Sequence, residues 1–273
     1  MSLASPSPRA LLLAAACLSG AAGAQSFDEV PFVTSADNVT LEMLRIAGVG
    51  SKDHVIDLGS GDGRIVITAA SRFGATGLGV EIVPELVEKS RRAAQQAGVA
   101  GKVDFRIQDL FKTDLSPATV VTMYLLPDVN LQLRPALLKL APGTRIVSHD
   151  WDMGDWLPDQ TTVLPVPDKT VGLEKSSKVH LWVVPARVEG LWCGTGAATD
   201  TRLKLAQQHQ VVQGTLTHGP RSQLVTGRLE GARLQGPDLG LEATGGELRI
   251  TRAVEALGLP AGTSLRRAAG ERC

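Results

Sequence analysis

Residues 55 to 66 read VIDLGSGDGRIV, an apolar run that breaks into glycines at alternating positions, Gly59, Gly61 and Gly63, and then resumes. This pattern is typical of a buried parallel strand that turns tightly into a helix. The first turn of such a helix has free N–H groups, which favour anionic or polar parts of a ligand. The stretch therefore predicts a nucleotide-like ligand at the turn.

The spacing of the glycines narrows the choice of ligand. A dinucleotide-binding turn needs glycines at its first, third and sixth positions. Here the sixth position is Arg64, and Gly63 comes one residue early. No Gly-Lys-Ser/Thr follows, so a phosphate-binding loop is not indicated either.

Acidic residues mark three successive predicted strands. Asp57 lies within the first strand, Glu81 ends the second (GLGVE) and Asp109 ends the third (FRIQD). The carboxyl ends of parallel strands meet at one edge of a sheet, where ligands of such folds bind. We therefore expect these carboxylates to lie around the glycine turn.

Together these residues resemble the first motifs of class I S-adenosylmethionine-dependent methyltransferases. The resemblance implies that Asp57 meets the cofactor's ammonium group, directly or through water, and that the three glycines let the main chain approach its amino-acid end. It also implies that Glu81 accepts both ribose hydroxyls and that Asp109 receives the adenine amino group. The backbone of Leu110 would supply the adjacent contact to the ring.

A narrower resemblance covers roughly residues 28 to 185. It is to the prokaryotic and mitochondrial protein-lysine methyltransferases, whose eukaryotic members modify subunit c of ATP synthase and the adenine nucleotide translocase. It rests on these segments: PFVTSADNV, DLGSGDGRIVI, GVEIVPELV, DLFKTDLS and MYLLPDVN. The resemblance implies methyl transfer to a lysine of a protein, with a membrane protein among the candidates. Where a Thr-Pro pair is expected, this chain has Thr34-Ser35-Ala36.

The acceptor pocket of this fold lies beyond its fourth and fifth strands. These strands end here in Tyr124, the only tyrosine of the chain, and in His149 and Asp150. Tyr124 would form an aromatic wall, and His149 or Asp150 would orient the acceptor amine or relay its proton. The structural alternatives are half-buried packing for Tyr124, a hydrogen-bonded strand-end residue for His149 and a cap for Asp150. We expect Trp151 and Trp156 to pack in the core.

The order of predicted elements indicates an α/β fold. A leading helix over 38–47 precedes alternating strands and helices, and two β-rich runs, TTVLPV and KVHLWVVPARV, suggest a closing antiparallel hairpin. We predict a doubly wound, mostly parallel, seven-stranded methyltransferase sheet over residues 25–188. Residues 189–273 contain short alternating segments separated by Gly, Pro and Asp. They predict a small antiparallel all-β domain of unknown role.

The first 24 residues resemble an export signal. Arg9 precedes an apolar core from Ala10 to Leu18, and Ala22-Gly23-Ala24 precede Gln25. We expect a periplasmic or otherwise exported protein, with anchoring at the inner membrane by an uncleaved leader as the alternative. Removal of this leader would also remove Cys17 and leave two cysteines, Cys193 and Cys273. An even pair suggests a disulfide in an oxidising compartment, and two unpaired thiols are the other interpretation.

Composition limits the partners. With 28 basic and 28 acidic residues the formal net charge is zero, so nothing draws in a polyanion, and we expect neither a nucleic acid nor a metal as partner. The predicted function is an S-adenosylmethionine-dependent protein-lysine N-methyltransferase. Two alternatives remain: an exported binding protein that retains the fold, and a small-molecule methyltransferase.

Overall fold

The glycine-rich stretch folds as strand, turn and helix in a computed structural model, which describes residues 33–273. The strand β1 (His54–Leu58) runs into the helix α2 (Arg64–Phe73) through the three glycines. The other helices are α1 (Asp37–Ile46), α3 (Pro84–Gln96) and α4 (Pro127–Leu137). The other strands of the sheet are β2 (Thr76–Glu81), β3 (Val103–Ile107), β4 (Val120–Met123), β5 (Arg145–His149), β6 (Gln160–Pro165) and β7 (Ser176–Val183).

The seven strands form one sheet in the order β3-β2-β1-β4-β5-β7-β6. The first five in this order are parallel, and β7 runs antiparallel to both β5 and β6. The predicted doubly wound sheet with its closing hairpin is therefore confirmed. Because β1 lies between β2 and β4, its carboxyl end is the centre of the edge where ligands bind in such sheets.

Both faces of the sheet are covered by helices. Neighbouring strand residues point to opposite faces, so Val55 packs with Val39 and Leu44 of α1, whereas Ile56 packs in the cluster that includes Leu133 of α4. A third cluster joins α2 and α3 to Phe105 of β3. Coverage of both faces explains why the central strands are buried at nearly every position.

The C-terminal region is a closed eight-stranded antiparallel barrel. Its strands are β8 (Gly190–Gly194), β9 (Thr201–Gln208), β10 (Val211–His218), β11 (Arg221–Glu230), β12 (Arg233–Gln235), β13 (Gly240–Thr244), β14 (Glu247–Ile250) and β15 (Ser264–Arg267). Their order around the barrel is β10-β11-β12-β13-β14-β15-β8-β9. Alternation along TRLKLAQQ buries Leu203 and Leu205 and exposes their neighbours, and the interior is filled with side chains such as Trp192 and Leu248. The predicted all-β region is confirmed, and its first strand begins at Gly190.

The turn between β9 and β10 packs on the connector between β5 and β6. The ring of His209 stacks on buried Trp156, with 5.9 Å between centroids. The buried Gln210 donates through Nε2 to the carbonyl of Leu157 at 2.6 Å, and Arg228 pairs with Asp159 at 2.7 Å. The barrel is thus attached to the segment that follows the fifth strand.

The predicted strand TVVTMYLL is too long, because β4 ends at Met123 and the next residues leave the sheet before Pro127 starts α4. The predicted leader lies outside the described residues. Within residues 33–273 we find no helix that is both long and apolar enough to cross a membrane.

Cys193 and Cys273 form a disulfide, with their Cα atoms 5.4 Å apart. The bond joins the first barrel strand to a residue 80 positions later. Since Cys193 also pairs with the last barrel strand through Arg266, the bond holds the C-terminal segment against the seam where the barrel closes. Cross-linking two distant positions stabilises a fold mainly by restricting the unfolded chain.

We expect reduction of this disulfide to lower the free energy of unfolding of the barrel by about 2–4 kcal/mol. Urea unfolding followed by circular dichroism, with and without dithiothreitol, measures the effect. The double variant Cys193→Ser/Cys273→Ser is the control and should not respond to reductant. A wild-type protein that unfolds identically in both conditions would contradict the prediction.

Candidate active site

The glycine turn presents bare main chain at the centre of the sheet edge. The N–H groups of Gly59 and Ser60 both donate to the carbonyl of Val80, at 3.0 and 2.9 Å, which holds the turn against β2. Gly59 has φ +71°, and a Cβ there would lie 2.9 Å from Cδ2 of Leu125. The left-handed backbone disfavours a side chain at this position, and a Cβ would also displace the Leu125 methyl group. Glycine therefore keeps the main chain of the turn free of side chains.

Glu81 ties the end of β2 to the glycine turn. Its Oε2 accepts a hydrogen bond from the N–H of Gly61 at 3.0 Å. Its Oε1 accepts from the N–H groups of Ile82 and Val83, at 2.8 and 3.1 Å. These contacts orient the carboxylate beside the turn, where it can accept hydrogen bonds from a pair of ligand hydroxyls.

Asp57 is a buried carboxyl group next to this turn. Its Oδ1 accepts a hydrogen bond from Oγ1 of Thr122 on β4 at 2.7 Å. Burial raises its pKa to about 7; the bond from Thr122 opposes this shift, and the charges of Glu81 and Asp62 add to it. A ligand cation placed beside Asp57 would favour the ionised form.

Asp109 follows β3 at the same sheet edge. The N–H of Gln108, one residue before it, donates to the carbonyl of Glu81 at 2.9 Å. The Asp109 carboxylate accepts from the N–H of Phe111 at 2.9 Å and lies 3.4 Å from Nζ of Lys112. Leu110 is partly buried against the core. The structure thus places Glu81, Asp109 and Leu110 on the same edge as the glycine turn.

Tyr124 and His149 form a stacked pair beyond the fourth and fifth strands. Their ring centroids are 3.8 Å apart and their planes differ by 28°. Burial raises the pKa of Tyr124, and the charge of the adjacent Asp150 carboxylate raises it further, so the hydroxyl is a neutral phenol at physiological pH. Tyr124 is half-buried and forms part of the wall of this region.

His149 lies beneath this wall with both ring nitrogens engaged. Nδ1 is 2.8 Å from Oγ of Ser35, and Nε2 is 2.9 Å from Oγ of Ser177. Burial lowers the pKa of His149 to about 4, against the opposing charge of Asp150. The ring is therefore neutral, and this geometry suits a residue that positions Tyr124 better than one that takes up a proton.

Asp150 directly follows β5 with φ +63°, a left-handed conformation that few non-glycine residues adopt. Its Oδ1 accepts from the N–H of Lys178 at 2.9 Å, and its Oδ2 lies 2.8 Å from Nζ of Lys169. Burial disfavours the charge, but the bonds from Lys169 and Lys178 outweigh it and lower the pKa of Asp150. The carboxylate is therefore ionised and already holds a primary ammonium group.

The sequence did not predict the contributions of Ser35, Arg64 and Lys169. Arg64 pairs with Asp62 and donates through Nη1 to the carbonyl of Ser35 at 2.8 Å, which links the segment before α1 to the glycine turn. For Arg64, its position directly after Gly63 was the one feature of the sequence that indicated a place at the glycine turn. Of the two tryptophans, Trp156 is buried as expected, but the expectation for Trp151 was wrong, because 42% of it is exposed.

The comparisons with known proteins agree with this geometry. A family model described as the ANTKMT methyltransferase domain matches residues 57–160. A protein-lysine N-methyltransferase of Saccharolobus islandicus is 41% identical over 157 residues, which cover 57% of this chain and 94% of that protein. A lysine N-methyltransferase of Mus musculus, named for the C subunit of ATP synthase, is 36% identical over 134 residues, or 49% of this chain. The chain spans only about half, 53%, of that mouse relative.

A solved structure matches at the level of both fold and sequence. It is described as an RNA methyltransferase from Salinibacter ruber in complex with S-adenosyl-L-homocysteine. It is 51% identical with a TM-score of 0.51, and the match covers 57% of this chain and 96% of that protein.

The residues at the sheet edge fit the cofactor of these relatives. The glycine turn presents main chain without side chains to an amino-acid moiety, and Asp57 and Glu81 offer carboxylates for its ammonium and for the ribose hydroxyls. The chain belongs to the protein-lysine N-methyltransferase family of class I methyltransferases, and its cofactor is S-adenosyl-L-methionine.

Proposed function

We propose that the chain transfers the methyl group of S-adenosyl-L-methionine to the side-chain amine of a lysine in a protein. The observation that carries the proposal is the position of Tyr124 and Asp150 beyond β4 and β5, on the sheet edge that carries the glycine turn. Leu125, directly after Tyr124, lies against Gly59. An aromatic wall and a carboxylate therefore adjoin the site that holds the cofactor.

On the cofactor side, the chain's task is to bind and orient. The glycine turn and Asp57 receive the amino-acid end, Glu81 the ribose, and Asp109 with the backbone of Leu110 the adenine. The bound cofactor supplies an activated methyl group. The residues around it need mainly to align the acceptor and exclude water, because proximity supplies a large share of the rate.

On the acceptor side, the amine must lose its proton before it can attack. An unperturbed lysine has a pKa of about 10.4 and is protonated at neutral pH. Asp150 is the ionised group that can hold the ammonium, and the neutral phenol of Tyr124 can accept a hydrogen bond from it. The Asp150 carboxylate favours the charged amine, whereas the half-buried walls disfavour it. The proton passes to solvent water, because burial lowers the pKa of His149 and the lowered pKa of Asp150 keeps that group ionised.

RNA is the competing acceptor, because the Salinibacter ruber protein is named as an RNA methyltransferase. We favour a lysine for two reasons. The formal net charge of this chain is zero, whereas proteins that bind nucleic acids usually carry excess basic charge. In addition, the relatives from Saccharolobus islandicus and Mus musculus are named as lysine methyltransferases.

We also propose that the barrel faces an oxidising compartment. The disulfide between Cys193 and Cys273 supports this proposal, because such bonds are rare in the reducing cytosol. The export-like leader over residues 1–24 supports it independently. A chain anchored by that leader with its catalytic domain in the cytosol would leave both cysteines in reducing surroundings.

Methyl transfer to the fractions of a cell lysate tests the function. We expect radiolabel from S-adenosyl-L-methionine to enter protein, and acid hydrolysis of the labelled bands to yield Nε-methyllysine. Nuclease and protease digestions on parallel samples distinguish RNA from protein. Label that is released by nuclease alone, or that is found only in small molecules, would contradict a lysine acceptor.

Glu81 should be needed for cofactor affinity. We expect Glu81→Ala to weaken binding of S-adenosyl-L-homocysteine by roughly ten- to a hundredfold, because loss of a charge-assisted pair of hydrogen bonds costs about 1.5–3 kcal/mol. Isothermal titration calorimetry measures this change. Glu85→Ala removes an exposed carboxylate from α3 and is the matched control. Equal affinity of both variants and wild type would place the ribose elsewhere.

The pKa of Asp57, about 7, predicts that cofactor binding depends on pH. A raised pKa leaves much of this carboxyl neutral at pH 6, and the neutral form cannot pair with an ammonium group. As the pH rises to 8, Asp57 ionises, so the affinity for S-adenosyl-L-homocysteine should rise by about tenfold. Calorimetry at both pH values measures the slope. Asp57→Asn should bind weakly at both, and a wild-type affinity that falls with pH would refute the assignment.

A further inference from the structure

Lys169 places a primary ammonium group beside the acceptor wall. It lies in the segment over residues 166–175, which joins β6 to β7. Its Nζ is 2.8 Å from Oδ2 of Asp150 and donates to the carbonyl of Ser176 at 2.7 Å. Only 14% of the side chain is exposed. The chain's own lysine thus enters the region from which a substrate lysine must approach.

A continuous set of contacts connects this ammonium to the cofactor turn. Asp150 lies close enough to Tyr124 to raise its pKa, and Tyr124 stacks on His149. The residue after Tyr124 is Leu125, whose side chain lies against Gly59. The Asp150 carboxylate is therefore on the same edge as the cofactor site, one strand beyond Tyr124.

The segment that carries Lys169 is held by few contacts. Its tip is exposed, including Leu173 and Val171. Apart from the ion pair, Nζ of Lys169 donates to the carbonyl of Ser176 at the start of β7. Its N–H donates to the carbonyl of Val166, and its own carbonyl accepts from Nζ of Lys175 at 2.7 Å. The side chain is thus held by two contacts of Nζ, with Asp150 and with the carbonyl of Ser176, so Lys169 can leave Asp150 without breaking any backbone pairing of the sheet.

We propose that Asp150 is the group that binds the ammonium of the acceptor lysine, and that Lys169 occupies this subsite until the acceptor displaces it. The proposal rests on the proposed function. The ligand class is a primary alkylammonium group on a flexible chain, which is what Lys169 itself presents. The 166–175 segment then acts as an internal competitor for acceptor binding.

Competition makes a quantitative prediction. A site that is filled by an internal group most of the time has an apparent affinity reduced by the fraction that is free. Lys169→Met keeps the apolar stem but removes the charge, so it should lower the KM for the acceptor by roughly three- to tenfold with kcat unchanged. The acceptor in this assay is the lysate protein fraction that takes up label. Lys139→Ala, which removes an exposed lysine after α4, is the matched control and should leave KM unchanged.

If Lys169 and the acceptor lysine compete for Asp150, the lower KM of the Lys169→Met variant must depend on the Asp150 carboxylate. Asp150→Asn should raise the KM for the acceptor, and asparagine tolerates the left-handed backbone at this position. In this background Lys169→Met should bring no further improvement. If Lys169→Met still lowers KM in the Asp150→Asn background, the proposal is overturned. A Lys169→Met variant that loses kcat would also overturn it and would make Lys169 a residue that positions Asp150.

A second measurement does not need turnover. Ligand-observed NMR with n-butylammonium, in the presence of S-adenosyl-L-homocysteine, should show binding to Lys169→Met that is several-fold tighter than to wild type. Binding should be lost in the double variant with Asp150→Asn. This result without methyl transfer to any protein would reject the proposed function but keep the subsite. Methyl transfer to lysine with equal n-butylammonium binding in all variants would reject the subsite and keep the function.

Discussion

The position of β1 between β2 and β4 is the constraint on which the site depends. Its register pairs Asp57 with Gly79 on one side and with Thr122 on the other. The hydroxyl of Thr122 therefore reaches the Asp57 carboxyl group, and Val80 on β2 receives the first two N–H groups of the glycine turn. A shift of one residue on either side would turn these side chains to the opposite face and separate the two halves of the site.

Two carboxyl groups at this edge have opposite electrostatic environments. Asp57 is enclosed in the sheet with only a neutral hydroxyl as partner, so burial raises its pKa. Asp150 sits outside the last parallel strand, where an ammonium group and a main-chain N–H overcome burial and lower its pKa. The first depends on a bound cation to become fully ionised, whereas the second is ionised beforehand. This difference suits Asp57 to the amino-acid end of a cofactor and Asp150 to an incoming amine.

The local sequence pattern predicted an element correctly where its residues contact others that are close in the sequence. The helix predicted over RIVITAASRF has the bounds of α2, because Gly63 and Gly74 flank its apolar spacing. The pattern failed at Tyr124 to Leu126, where apolar residues that leave the sheet resemble a continuing strand. Lys169 gave no signal at all, because its approach to Asp150 depends on how the β6–β7 connection folds back over β5. The exposure of Trp151 was likewise a matter of tertiary packing.

The packing of the barrel against the connector after β5 has a mechanical consequence. His209 and Gln210 contact Trp156 and Leu157, a few residues beyond Asp150. These contacts attach one flank of the acceptor region to the barrel, whose first strand and C-terminal residue are joined by the disulfide. The opposite flank, over residues 166–175, has no such support. A substrate chain that approaches Asp150 would therefore meet one flank fixed by the barrel and another flank that is held mainly by its own contacts.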